Sequence, residues 1–218
     1  MNGAAIQPVG RRRWTSEPRV LFVEGYSDLL FYAELMEHLG RMPCFIQDLG
    51  GKGREKLKDQ AELLLRPDNL AAMESVGVIL DADNNAQAAF EQARSALRQV
   101  VRVEIERPNT WVCAPGGRTK FGVFIVGDPS GKGEIETLAW LAWKEQPPNQ
   151  ALSECVDSYL KCAQRSGQSL QSPDKVRIGT LLSVLNEEDP RLGPGARAKA
   201  FDFEAERLLP LRQFLGQM

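Results

Sequence analysis

Acidic side chains follow three apolar stretches of the sequence that have the length of buried strands. VLFVE ends at Glu24, VGVILDAD contains Asp81 and Asp83, and FGVFIVGD ends at Asp128. Asp28 follows Glu24 by four residues, at the start of a predicted helix. Carboxylates are the oxygen ligands that hard divalent cations such as Mg²⁺ and Mn²⁺ prefer. The residue types therefore predict a Mg²⁺ or Mn²⁺ site, provided that the fold brings these acids together.

The predicted elements place the acids at one edge of a sheet. Buried strands are expected at 19–24, 43–49, 76–80 and 121–126, alternating with helices at about 28–39, 54–65, 86–99 and 134–145. Ser27 is the expected N-cap of the first helix. Residues 100–120 are predicted as an extended excursion with turns at RPN and PGG. Such alternation predicts an α/β fold with a mainly parallel central sheet flanked by helices.

The rest of the chain is predicted to be helical, at about 151–164, 175–186 and 205–216, with loops at SGQSLQSPD and EEDPRLGPG.

The carboxyl ends of parallel strands share one edge of the sheet, which is where ligands bind in open α/β folds. Asp81 and Asp83 are spaced i, i+2, so an extended backbone points both to the same side. Acids gathered there repel one another unless protons or a cation compensate them.

Each acid also has a purely structural interpretation. Asp28 is equally well explained as a first-turn acid that the helix dipole favours. Asp83 and Asp128, taken singly, are better explained as turn residues, since Asp128 precedes Pro129. Glu24 has no turn or capping duty, and this favours a functional role. The conjunction of several acids at strand ends favours the metal site.

Two Gly-rich segments could contact phosphate. GDPSGKGE, at 127–134, lacks the spacing and the Ser or Thr of an ATP-binding loop. LGGKGREK precedes a helix, so its backbone N–H groups with Lys52 and Arg54 could bind a phosphate. A flexible turn between strand and helix explains that segment equally well.

The composition excludes several classes of protein. The chain has 218 residues, a net charge of −2 and 43% hydrophobic residues, and no apolar run approaches the length of a membrane span. Four Cys and one His form no zinc-binding or disulfide pattern, as expected of a cytoplasmic protein. Residues 1–18 are predicted to be a disordered basic leader. The row Arg94, Arg98 and Arg102 could contact a nucleic-acid backbone, although a solvated helix face is the favoured interpretation.

VEGYSD together with LDAD resembles the signature of TOPRIM domains, which occur in topoisomerases, primases and overcoming-lysogenization-defect (OLD) nucleases. VEGYSDLLFYAELMEHLG, GVILDADNNAQAAF, FGVFIVGDPSGKGEIETL, DKVRIGTLL and RLGPGARAKAFDF are similar to the small stand-alone DUF3226 proteins. The resemblance implies a Rossmann-like TOPRIM core at 19–145. It also implies a helical C-terminal extension at 146–218 that packs on this core.

The resemblance assigns roles to particular residues. Glu24 would be a metal ligand or general acid/base, and the further metal ligands would be Asp28, Asp81, Asp83 and Glu136, with Glu134 beside Glu136 as an additional candidate. Lys175 would stabilise negative charge in a transition state. The family segment around Asp128 usually reads PDN, whereas this chain has GDPS, a departure that leaves the role of Asp128 open.

The implied function is a Mg²⁺- or Mn²⁺-dependent nuclease that hydrolyses phosphodiester bonds of DNA or RNA. By the same resemblance, a separate ABC- or AAA-type ATPase subunit and a role in phage defence are expected, with no membrane partner. The alternative is a non-catalytic module that binds metal or nucleic acid and acts with such an ATPase. The sequence leaves the oligomeric state open, including a homo-oligomer.

Overall fold

Five strands form one sheet in the computed structural model, which describes residues 14, 16–50, 53–114 and 116–218. The strands are β1 (Arg19–Val23), β2 (Phe45–Asp48), β3 (Ser75–Asp81), β4 (Thr110–Cys113) and β5 (Lys120–Val126). Their order is β2-β1-β3-β5-β4, and only the β4–β5 pair is antiparallel. Most of the predicted leader at 1–18 lies outside the described residues.

Helices cover the sheet and make up most of the second half of the chain. They are α1 (Tyr26–His38), α2 (Gly53–Leu64), α3 (Pro67–Leu70), α4 (Ala86–Val101), α5 (Ile135–Lys144), α6 (Gln150–Arg165), α7 (Pro173–Leu185), α8 (Leu192–Arg197) and α9 (Leu209–Leu215). This architecture confirms the predicted α/β class, the mainly parallel sheet and the helical C-terminal part. No described helix is long and apolar enough to cross a membrane.

Alternate side chains of β1 enter two separate cores. Leu21 and Val23 pack with α1 and α5 to α9, whereas Val20 and Phe22 pack with α2 and α4. All four side chains are fully buried. A strand buried on both faces has an uninterrupted apolar sequence, which is why RVLFV was recognisable as a central strand.

The antiparallel edge strand β4 was predicted only as an extended excursion. Its Trp111 ring stacks on Phe214 of α9 at a centroid distance of 4.6 Å, and the indole N–H donates to the Phe214 carbonyl at 3.0 Å. The four residues TWVC are strand formers, but the stretch is short and none of its residues is fully buried, so its place at the edge depends on pairing with β5 and on the contact with α9.

The segment EEDPRLGPG is partly helical, which corrects the predicted loop. Pro194 falls in the first turn of α8, where its missing N–H has no helical partner to lose. Gly193 lies against α1, because a Cβ there would stand 2.4 Å from Leu30 Cβ and 2.6 Å from the Ser27 carbonyl oxygen. Glycine and proline are poor helix formers, but here they permit a close helix–helix contact.

Candidate metal and phosphate site at the carboxyl edge of the sheet

The site is built where β1 and β3 lie side by side. The connection that follows β1 leads to β2 on one side, whereas the connection that follows β3 leads towards β4 and β5 on the other side. Open α/β sheets bind ligands at such a point, where the connections run in opposite directions. Glu24 directly follows β1, and Asp81 ends β3. The backbone N–H of Asp81 donates a hydrogen bond to Glu24 Oε1 at 3.0 Å. The structure thus brings these two predicted acids together.

Asp28 lies in the first turn of α1 and closes the β1–α1 turn. Its Oδ2 accepts a 2.8 Å hydrogen bond from the backbone N–H of Gly25, the residue that precedes the helix. The helix therefore begins earlier than predicted, and Ser27 is not its N-cap. Ser27 Oγ instead accepts a hydrogen bond from the backbone N–H of Gly193 at 3.3 Å. Asp28 lies in the first turn of α1, as its structural interpretation predicted, and its hydrogen bond with Gly25 is an additional role that was not predicted.

The start of α5 adds two further acids. Glu134 precedes the helix as its N-cap residue, and Glu136 lies in its first turn, where it is only 6% exposed. The backbone N–H of Ile135 between them donates to Asp81 Oδ1 at 3.0 Å. Five acids thus form the acid cluster: Glu24, Asp28, Asp81, Glu134 and Glu136.

The first turn of α7 supplies the cation of the acid cluster. Lys175 Nζ lies 2.7 Å from Glu134 Oε2, and the Ser172 hydroxyl donates to the other oxygen of the same carboxylate. Burial lowers the pKa of Lys175, but the negative charges of Glu136 and Glu134 outweigh burial and raise it overall. The structure therefore places Lys175 beside the acids, while the role in charge stabilisation that the resemblance implies stays a prediction.

The pKa values of three acids show how crowded the cluster is. Burial raises the pKa of Asp81 well above its usual range, and the charges of the other acids in the cluster raise it further. Burial likewise raises the pKa of Asp28. The pKa of Glu136 is about 7, chiefly because of burial, even though Lys175 acts to lower it. At neutral pH the cluster therefore holds protons that a cation could replace.

Asp83 lies apart from this arrangement, because the backbone is not extended through it. Its φ is +49°, a left-handed conformation that Asp tolerates better than most residues. Two backbone hydrogen bonds, of 2.8 and 2.7 Å, pair Asp83 with Gly133. Asp83 is exposed, whereas Asp81 is half-buried. The expected common orientation of the two side chains along an extended strand is therefore corrected.

A polar cleft of about 280 Å³ opens beside the acid cluster. Four acids and one lysine contribute to its walls, which consist of Asp83, Asn84, Asp128, Lys132, Gly133, Glu134, Thr137, Gln171, Ser172, Pro173 and Asp174. Glu134 belongs to both the cleft and the acid cluster. A ligand that entered the cleft would therefore reach the edge of the cluster.

The Asp128 carboxylate stabilises the loop in which it lies. Its Oδ1 accepts hydrogen bonds from the backbone N–H groups of Ser130 and Lys132 at 2.8 and 3.1 Å and from the Ser130 hydroxyl at 2.6 Å. The Ser130 hydrogen bond is the main reason that the pKa of Asp128 is lowered. The turn interpretation accounts for all of these contacts.

The predicted phosphate-binding residues Lys52 and Arg54 cannot be placed in the site, since Lys52 and the Arg54 side chain lie outside the described parts of the chain. The predicted arginine row is corrected at one end, because Arg94 and Arg98 lie on α4 but Arg102 follows its last residue with a left-handed backbone. Arg94 contacts both Glu91 and Glu104. This pairing agrees with the solvated-face interpretation for that residue.

Sequence reasoning missed several polar residues of the site. Tyr32, which follows Asp28 by one helical turn, is almost completely buried. Burial raises the pKa of its hydroxyl well above the usual range, and the charges of four of the acids raise it further. The i, i+4 spacing from Asp28 was a usable signal. Asp48 is the last residue of β2, so the strand-end criterion that selected Glu24 and Asp81 as candidate site residues would also have selected Asp48.

A second missed feature is a chain of contacts that holds α7 on α5. The Thr137 hydroxyl donates to Asp174 at 2.6 Å, and Arg177 pairs with Asp174 and with Asp157 of α6. Thr137 Oγ1 also accepts the backbone N–H of Glu134 at 3.1 Å. No spacing in the sequence connects these residues, because they come from three helices.

The acid cluster suits a divalent cation in its chemistry. Carboxylate oxygens are the ligands that Mg²⁺ and Mn²⁺ prefer, and a bound cation would relieve the repulsion among the buried acids. Within the described residues, however, no three His, Cys, Asp or Glu side chains already stand in an arrangement that could hold a metal ion. Binding would therefore require these carboxylates to turn.

Comparison with known proteins gives one match. A family model described as "Protein of unknown function (DUF3226)" matches residues 18–218. No curated protein and no solved structure matches the chain.

Proposed function

The chain belongs to the DUF3226 family, and from its acid cluster we propose that it is a divalent-metal-dependent nuclease that hydrolyses phosphodiester bonds of DNA or RNA. The observation that carries the proposal is the convergence of Glu24, Asp28, Asp81 and Glu136, from three separate segments, at the carboxyl edge of the sheet. The resemblance of VEGYSD and LDAD to TOPRIM domains supports the same assignment.

The acids of the cluster would hold Mg²⁺ or Mn²⁺, with Asp83 as a further ligand from the cleft wall. The bound cation would polarise a phosphate oxygen and generate a nucleophilic water at neutral pH. Glu136, with a pKa of about 7, could accept or donate a proton at neutral pH. Lys175 would offset the charge of the phosphate.

The polar cleft is the proposed entrance for the substrate. Asp83, Asp128, Glu134 and Asp174 on its walls would repel a phosphodiester, and Lys132 alone offers little compensation among the described lining residues. Binding of nucleic acid is therefore expected to depend on the metal and to weaken steeply with salt. A separate ATPase subunit and a role in phage defence belong to this proposal through the TOPRIM resemblance.

A non-catalytic module is the second candidate. Glu24, Asp28 and Asp81 each accept a backbone N–H, so these acids also have structural duties. Such a module would bind one metal ion or nucleic acid and act through the ATPase partner.

Cleavage assays separate the two candidates. Plasmid, linear DNA and RNA, tRNA included, are incubated with the protein and Mn²⁺ or Mg²⁺, beside an Asp81→Ala/Asp83→Ala variant. Cleavage by the wild type alone supports the nuclease. Equal products from both proteins indicate a contaminant and contradict it. Absence of cleavage in all reactions, combined with metal-dependent nucleic-acid binding, favours the module.

A further inference from the structure

Helix α6 presents a neutral stripe on the side opposite its buried residues. The buried side consists of Ser153, Val156 and Leu160. The stripe consists of Ala151, Cys155, Ser158, Tyr159, Cys162 and Ser166, all of them exposed. Its spacing of i, i+4 and i+7 places these side chains on one face of a helix. At its centre, Tyr159 is 58% exposed.

Charged residues follow one border of the neutral stripe. Glu154 lies towards the start of the helix, and Lys161 and Arg165 lie towards its end. Helical geometry puts all three on the same flank. Among the described residues, none of the three takes part in an ion pair. The flank is therefore negative at one end and positive at the other.

From this pattern we propose that the neutral stripe of α6 is the docking surface for a second copy of this chain, with the two α6 helices antiparallel. A two-fold axis beside Ser158 and Tyr159 would bring the same flank of each helix together. Glu154 of one copy then lies between Lys161 and Arg165 of the other, and the arrangement occurs twice. In a parallel pair the charged flank would instead face the uncharged flank of Leu152 and Ala163.

The antiparallel register also pairs the cysteines. Cys155 and Cys162 are equidistant from the axis, so Cys155 of one copy faces Cys162 of the second. Two Cys162 residues would be separated by about 10 Å along the helices, because seven residues of helix rise about 10.5 Å. The pairing of unlike cysteines is therefore a specific geometric consequence of the proposal.

Contacts connect α6 with the wall of the polar cleft. Asp157 of α6 holds Arg177, which in turn holds Asp174 on the cleft wall.

A single pair of sixteen-residue helices is small for a protein interface, so we expect weak self-association. This inference does not depend on the proposed nuclease activity.

Cross-linking tests the register. In a Cys113→Ser background, Cys155→Ser and Cys162→Ser variants are treated with diamide, separately and mixed. Diamide takes two electrons and two protons from two thiols, which join as a disulfide. We expect covalent dimers only in the mixture, where Cys162 of one variant meets Cys155 of the other. Dimers within either variant alone would overturn the antiparallel register, as would no dimer in the mixture.

Sedimentation tests the surface independently of cysteine chemistry. The wild type is expected to shift from the mass of the 24.2 kDa chain towards twice that value between micromolar and several hundred micromolar concentrations. Tyr159→Glu should raise the dissociation constant at least about tenfold. Leu63→Glu, at an equally exposed position on α2, should leave it unchanged. A wild type that stays monomeric, or equal effects of both variants in folded proteins, would overturn the proposal.

Discussion

The backbone N–H of Asp81 donates a hydrogen bond to the Glu24 carboxylate, which joins the acids at the ends of two neighbouring strands. Asp81→Asn keeps this backbone bond but removes one charge from the cluster. If the cluster holds the cation, the variant should bind Mn²⁺ at least about tenfold more weakly, a loss of about 1.4 kcal/mol. Isothermal titration calorimetry measures the difference.

The control for that experiment is Asp128→Asn, since Asp128 serves its own loop. Its Mn²⁺ affinity should remain within about twofold of the wild-type value, a change below 0.5 kcal/mol. A similar loss of affinity in both variants would show that the acid cluster is not the metal site.

The pH dependence of folding should reveal Glu136. Its pKa is about 7 in the folded protein, against an ordinary value of 4.5, so the folded state binds the extra proton between these pH values. The free energy of unfolding therefore falls as the pH rises from about 4.5 to about 7. Glu136→Gln removes this loss and should stabilise the chelator-treated protein at pH 8, by about 1–3 kcal/mol.

Urea unfolding at pH 5 and pH 8, both in EDTA, measures this effect. The two proteins should differ little at pH 5, where Glu136 is protonated in the folded wild type. A Glu136→Gln variant that is less stable than the wild type at pH 8 would contradict the assigned burial of an uncompensated charge.

Loss of the Lys175 cation should destabilise the cluster. Lys175→Met leaves Glu134 without its 2.7 Å partner and raises the pKa values of Asp28 and Glu136 further, because Lys175 lowers both. More than half of the Lys175 side chain is exposed, so solvent screening limits the cost to about 1 kcal/mol at pH 8. Thermal unfolding in EDTA detects it, and added Mn²⁺ should restore part of the loss.

A surface ion pair provides the comparison. Lys58→Met breaks only the exposed 3.7 Å pair with Glu62 and should cost less than about 0.5 kcal/mol. If Lys58→Met and Lys175→Met prove equally mild, and Mn²⁺ rescues neither, Lys175 does not compensate the acid cluster.

Two glycines should respond in opposite directions to alanine. Gly193→Ala would place its Cβ 2.4 Å from Leu30 Cβ, and we expect a loss of about 1–3 kcal/mol through displacement of α8 from α1. Gly179→Ala, in α7, meets nothing within 4 Å and should stabilise by about 0.5–1 kcal/mol. Denaturant unfolding of the two variants checks the sign, and a stable Gly193→Ala protein would refute the close contact.

Local patterns in the sequence were sufficient for most of the α/β core. RVLFV and KFGVFIV are apolar along their length because both faces of these strands are covered, and Asp81 is the last residue of its strand. Glu24 and Asp81 could therefore be predicted to lie at the same end of the sheet without knowledge of the order of the strands.

The remaining features depend on tertiary contacts. The left-handed backbone of Asp83 follows from its pairing with Gly133, fifty residues later. Ser172 and Asp174 reach the site because α7 docks on α5, and α8 packs against both α1 and α7. Such contacts have no fixed spacing in the sequence, which is also why the resemblance, and not the strand-end rule, was needed to indicate Glu136 and Lys175.

The Trp111–Phe214 contact has a consequence for synthesis on the ribosome. Trp111 emerges about one hundred residues before Phe214, and until then its ring lacks the aromatic partner that stacks on it. A nascent chain that has reached residue 200 therefore exposes the tryptophan face that α9 later covers, and exposed apolar surface promotes aggregation. Stalled synthesis products of this protein should consequently be substrates for chaperones or proteases.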